Sequence, residues 1–177
     1  MEIIMWKEFI LSLILFDPHP EPKHPLNKDP ELLDRVEAAF VSAGEKYNLA
    51  PWLLLYWGWR ESRLRPEAVG KYPNPEGKIL NERGICQAHG KAKWICEKNG
   101  LDLATVEGGA ECLALLLDMG RRYCGDLQGA GRWYASGSCH KAREKMAKRF
   151  RAADRRSCKF RGGTWSKKEK KCQSPKN

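Results

Sequence analysis

Residues 51–63 read Pro51-Trp-Leu-Leu-Leu-Tyr-Trp-Gly-Trp-Arg60-Glu61-Ser62-Arg63, and the rest of the chain is organised around them. Proline suits the first position of a helix, where its missing N–H would have no intrahelical acceptor anyway. From Trp52 to Trp59 the helix is apolar nearly all round, so it belongs in the middle of a domain. It then turns abruptly polar. Glu61 stands four residues after Trp57 and seven after Leu54, so it continues an apolar face. A carboxyl group there is partly desolvated and lies at the negative end of the helix dipole. Both effects favour the neutral acid that general-acid chemistry requires. The plain alternative is a glutamate paired with Arg60 or Arg63 at a solvated helix end.

Other helices are expected on both sides. Asp29-Pro30-Glu31 is a cap, a first-turn proline and an acid at the positive end. Leu33, Val36, Phe40, Ala43 and Tyr47 then recur at helical spacing up to about Asn48. Residues 66–83, rich in Pro, Gly and Asn, read as a long loop. Further helices are expected over 87–98, closed by Asn99-Gly100, and from Thr105 to Tyr123, with Leu113, Leu116, Leu117 and Tyr123 facing the core. Two more follow over 127–135 and 139–156, capped by Asp126 and Ser138. Nothing alternates like a long strand. The expected fold is mainly α, with one short hairpin at the C-terminus.

Composition supports one domain. The chain has 177 residues, 42% hydrophobic and 31% charged, too apolar to be wholly disordered. No run reaches the ~18–20 apolar residues of a membrane-spanning helix. Phe9–Phe16 is an apolar run of eight with two readings, a short leader core or a packed helix. Glu2 and Glu8 around Lys7, and the lack of a small-residue cleavage site, fit a leader poorly. Five prolines in 17–30 read as an extended linker, so residues 1–30 are taken as an apolar leader and linker ahead of a domain at 31–150.

Charge is uneven. Residues 1–119 carry 14 Lys and Arg against 18 Asp and Glu, whereas residues 120–177 carry 18 against 4. Such a block attracts polyanions, or is simply a solvated face. Seven cysteines are many for a reducing compartment and indicate an oxidising one. There is no CxxC pair and no zinc-ligand spacing to the four histidines, so no metal is expected. Cys158 and Cys172 enclose Gly162-Gly163-Thr164-Trp165, a turn pair followed by strand formers. A disulfide there would close a basic appendage at 151–177. Cys124 and Cys139 bracket the 127–135 helix and are a second candidate pair, with Cys96 and Cys112 a third. The odd count leaves a thiol.

Two later segments join the Glu61-Ser62 pair. Gly84-Ile85-Cys86-Gln87 follows the long loop and opens a helix, letting backbone and a Gln amide approach a ligand. Trp133-Tyr134-Ala135-Ser136-Gly137 ends another helix with an aromatic hydroxyl beside a glycine. In order and spacing, over 31–150, these three segments resemble the soluble-type lytic transglycosylases, whose catalytic domain is related to goose-type lysozyme. That family has Glu-Ser at a helix end, Gly-Leu-Met-Gln after a loop, and Ala-Tyr-Asn-Ala-Gly near the end of the domain.

The resemblance implies a lysozyme-like helical domain acting on peptidoglycan glycan strands, with no cofactor. Glu61 would be the single catalytic acid, protonating the oxygen between N-acetylmuramic acid and N-acetylglucosamine. It would then act as base on the C6 hydroxyl, giving a 1,6-anhydro product. One carboxylate suffices because the substrate's acetamido group stabilises the cationic centre. Ser62, Gln87 and Tyr134 would contact or flank substrate, Tyr134 by a hydrogen bond near the acid. Cys86 stands where the family has Met and Ala135 where it has Asn, changes that bear on sugar affinity more than on the acid. Glu82 is a candidate second carboxylate, which would convert the reaction to lysozyme-type hydrolysis. Tyr72 and Trp94, in or just after the loop, are candidates for stacking on sugar rings. The other readings are a wall-binding module without turnover and a polyanion binder. Nucleic acid is not the expected partner, for want of a recognition helix or aromatic–basic interleaving. Anionic wall polymers are the partner expected for the basic C-terminus. The expected location is exported, periplasmic or cell-envelope, with a phage virion as the alternative.

Overall fold

The computed structural model describes residues 6–16, 23–70, 82–141 and 143–173. Seven α-helices are found there: α1 (Trp6–Leu15), α2 (Pro30–Tyr47), α3 (Pro51–Ser62), α4 (Gly90–Lys98), α5 (Val106–Cys124), α6 (Leu127–Ser136) and α7 (Arg143–Ser157). One antiparallel hairpin follows, β1 (Thr164–Ser166) with β2 (Lys171–Gln173), in the register Trp165 opposite Cys172. The fold is mainly α with a disulfide-closed C-terminal hairpin.

Local signals place most boundaries. The Asp29 carboxylate accepts from the Leu32 N–H at 2.9 Å, and α2 ends at left-handed Asn48. Thr105 Oγ1 accepts from the Gly108 N–H at 3.0 Å to open α5, and Asp126 caps α6 through the Gly129 N–H. α3 lies at the centre, packed by α1, α2, α5 and α7, with every residue from Leu53 to Trp59 buried. Tyr123, expected in the core, is instead 76% exposed at the last turn of α5.

Of the two readings of the N-terminal apolar run, the packed helix is the one seen. Trp6, Phe9, Ile10, Leu13 and Ile14 of α1 are buried, and the Phe9 ring meets Phe160 at 5.4 Å. The end of the proline-rich segment is also tied in. His24 is fully buried; its Nδ1 accepts from the Leu26 N–H, so its Nε2 carries the hydrogen and donates to the Arg63 carbonyl at 2.9 Å. Residues 25–28 are therefore not extended chain but a short 3₁₀ turn fastened to the end of α3.

Three disulfides form: Cys96–Cys112, Cys124–Cys139 and Cys158–Cys172, leaving Cys86 as a buried thiol. Two expected helix starts and one expected turn move. α4 begins at Gly90 and not at 87, because 84–87 form a turn. α7 begins at Arg143 and not at 139, because Cys139 is held by Cys124 and its carbonyl accepts from Arg132. The Gly162-Gly163 pair is not the hairpin turn, which falls at residues 167–170. Gly162 (φ +69°) ends a 3₁₀ turn, and a Cβ on Gly163 would sit 2.4 Å from Cys172 Sγ. Asp154 of α7 anchors the hairpin, accepting from the Cys172 N–H at 3.1 Å.

Candidate active site

A cleft of about 1160 Å³ opens at the C-terminal end of α3. Its walls are the end of α3, the 65–70 segment, Glu82, Gln87, the start of α4, Trp133–Ala135 of α6, and Lys145, Met146 and Arg149 of α7. Glu61, Ser62, Gln87, Tyr134 and Glu82 all line it, so five of the seven residues singled out for substrate or catalysis come together. Tyr72 lies outside the described residues. Trp94 is 56% exposed beside Lys98 and is not among the residues that line the cleft.

Glu61 keeps 23% of its side chain exposed, but it is not the unaccompanied carboxyl group on an apolar face. Arg149 donates to its Oε1 at 2.9 Å. The plain alternative had paired it with Arg60 or Arg63, and the partner is instead 88 residues away on α7. Arg149 is itself 86% covered: its side chain is 14% exposed, with the guanidinium 4.9 Å from the centroid of the Trp57 ring. Trp57 is buried between Phe150 and Tyr134, at ring distances of 5.0 and 6.5 Å. The cation is therefore set by a ring face on one side and a carboxylate on the other. Nothing in the sequence singled out Arg149 among the many cations of the last third, because its role depends on how α7 crosses α3.

Tyr134 faces the same cleft, but its hydroxyl donates to the Cys86 backbone carbonyl and not to Glu61. Burial first, then the neighbouring Glu61 charge, push this phenol well above its ordinary value, so it keeps its proton and acts as a donor. The contact ties α6 to the Gly84–Gln87 turn across the cleft.

That turn is shaped by packing. Gly84 has φ +72°, and a Cβ there would lie 1.8 Å from the Leu103 carbonyl oxygen, so the glycine admits a close backbone crossing and not a ligand. Gln87 is also left-handed (φ +48°), and its amide nitrogen donates to the carbonyls of Gly84 at 2.8 Å and Ala68 at 3.3 Å. Both amide hydrogens are thereby used, and the amide oxygen is what remains for a ligand hydroxyl. Ser62 is buried and donates back to the Gly58 carbonyl at 3.3 Å, so it is a helix-end residue at the cleft edge. Glu82 pairs with His89 Nδ1 at 2.9 Å, which places that histidine at the cleft rim as well. Behind the turn, Cys86 Sγ lies 3.2 Å from Cys112 Sγ, and burial pushes its thiol up to about 11. Among the described residues no cluster of His, Cys, Asp and Glu could hold a metal ion.

Comparison with family models, with curated proteins and with solved structures found no match for this chain.

Proposed function

We propose that this protein cleaves the glycan strand of peptidoglycan as a lytic transglycosylase, with Glu61 as acid and then base. The carrying observation is that one half-buried carboxylate, on the end of a rigid buried helix, faces a large cleft together with Gln87 and Tyr134. The order of those residues along the chain is the one that resembles the soluble-type transglycosylases. Arg149 is bonded to Oε1, so Oε2 is the oxygen left to face substrate. In the proposed reaction a proton passes from Oε2 to the bridging oxygen as its bond to muramic C1 breaks, and the substrate's acetamido group stabilises the cationic centre. The carboxylate, supported by Arg149, then takes the proton of the C6 hydroxyl as O6 closes onto C1. No water is consumed. Gln87 accepts from a sugar hydroxyl through its amide oxygen, and Tyr134 holds the turn that presents it.

A second reading is lysozyme-type hydrolysis, favoured by one observation, that Glu82 lines the same cleft. Its pairing with His89 is the argument against it. An exported or cell-envelope location is supported by three disulfides, which persist in oxidising compartments. The basic last third would hold the enzyme on an anionic wall.

The test is mass spectrometry of fragments released from purified peptidoglycan by the wild type and by Glu61→Gln. Anhydro-muramic ends from the wild type alone support the proposal. Reducing ends replace it with hydrolysis and promote Glu82. No release from either protein overturns the enzymatic reading.

A further inference from the structure

We propose that a groove between α3 and α7 is a carboxylate-binding subsite that receives the peptide stem of the glycan strand. This inference rests on the reading of the cleft as a peptidoglycan site. The groove measures about 470 Å³ and is lined by Tyr56 and Arg60 of α3 and by Glu144, Lys145, Lys148 and Arg149 of α7, among others. Lys145 and Arg149 line both groove and cleft, so the two concavities adjoin at the α3–α7 crossing.

Four cations face one acid there. Arg149 is committed to Glu61. Lys148 pairs with Glu144 in an exposed i,i+4 contact at 2.7 Å. Arg60 and Lys145 have no carboxylate partner among the described residues. Cations gathered in a concavity repel one another until an anion enters, and the low-dielectric walls focus their field on it.

The position selects the anion. Arg60 immediately precedes Glu61, and one helical step of about 100° turns it from the cleft to the groove. A muramic sugar cut at C1 carries its peptide on the lactyl group at C3 of the same ring. The stem leaves the sugar beside the reacting bond, and its free carboxylates reach a groove that adjoins the acid. Guanidinium and ammonium groups at that distance bind carboxylates by charge-assisted hydrogen bonds. The groove thus selects strands that still bear stems over stripped glycan.

The experiment uses the full, unmutated chain, in which Arg149 stays paired with Glu61, and calorimetric titration with two soluble ligands. One is the GlcNAc–MurNAc disaccharide–tetrapeptide, which has no MurNAc–GlcNAc bond to cleave, and the other the same disaccharide without peptide. The peptide-bearing ligand is expected to bind at least tenfold more tightly. Arg60→Gln with Lys148→Gln should bring that preference to within about twofold of unity, while Arg60→Lys with Lys148→Arg should retain it. Equal affinities in the unmutated protein, or a preference that survives the two glutamines, overturn the subsite. Heparin displacing the peptide-bearing ligand with equal affinity for the groove also overturns it, in favour of a nonspecific polyanion site. Digestion by the unmutated enzyme separates the two proposals. Cleavage without stem preference sinks the subsite and keeps the enzyme. A preference in binding without any cleavage sinks the enzyme and keeps the subsite.

Discussion

Helices α3 and α7 meet at the cleft and are held there by opposite means. α3 is apolar and buried along seven consecutive residues, each large side chain contributing about 1.5–3 kcal/mol of burial. α7 is charged on nearly every turn, and Met146, Ala153 and Ser157 are its buried side chains among those described. It is fastened instead by Phe150 on Trp57, by Arg149 between Trp57 and Glu61, and by Asp154 to the disulfide-closed hairpin. The acid therefore sits on the element that packing makes rigid, and the cations on the element that polar contacts hold. Chemistry that needs one fixed carboxylate and an adaptable charged wall is well served by that division.

The largest break in the comparison is at Glu61. Glu61→Gln should lower turnover on peptidoglycan by about 10²–10⁴-fold, measured by release of soluble fragments, and should also lower the melting temperature in calorimetry because the covered Arg149 loses its carboxylate partner. Trp57→Ala, at the contact between the two helices, should destabilise by about 3–5 kcal/mol in denaturant titration. Trp57→Phe should cost far less, because the Trp57 Nε1 is buried without a partner and its loss offsets part of the lost packing. Serine at both Cys158 and Cys172 should cost about 3 kcal/mol for a disulfide closing a loop of this size. Hydrogen exchange should then rise along α7 and the hairpin and stay unchanged along α3.

Cys86 sharpens the contrast from the buried side. With the folded thiol at about 11 against an ordinary 9.0, its thiolate at pH 8 is roughly a hundredfold scarcer than in the unfolded chain. Native protein should resist iodoacetamide at that pH to the same degree, read by mass spectrometry of the Cys86 peptide. The sign for stability follows. The folded state keeps a proton that the unfolded state releases near 9, so the contribution is full below that pH and is lost as pH rises through about 11. Smallest is Glu144→Ala, which removes the exposed partner of Lys148. It should change stability by less than about 0.5 kcal/mol in denaturant titration.

Much of this molecule is written locally. Asp29, Thr105 and Asp126 cap the helices they were expected to cap, because a short side-chain oxygen meets a backbone N–H three residues on wherever the chain turns helical. The apolar run of 52–59 could only be a buried centre, and cysteines 14 to 16 residues apart across single helices or turns paired as their spacing suggested. Where competing local signals met, the reading slipped. The spacing puts Gln87 on a helix, but its backbone is left-handed (φ +48°) and α4 starts only at Gly90.

The cleft is legible only in part for the same reason. Glu61, Gln87 and Tyr134 were picked out by residue type and order, yet the partners of their polar atoms were not. Arg149 reaches Glu61 across 88 residues, and Tyr134 reaches the Cys86 carbonyl across 48. Periodicity and capping act over three or four residues, so the chain alone dictated its helices and its staples and pointed to Glu61, Gln87 and Tyr134, which line the cleft. Which cation meets the acid, which carbonyl takes the phenol, and that α1 joins the core depend on how those helices cross. The crossings are settled by burying all their apolar faces at once, a sum over the whole chain that no short stretch contains.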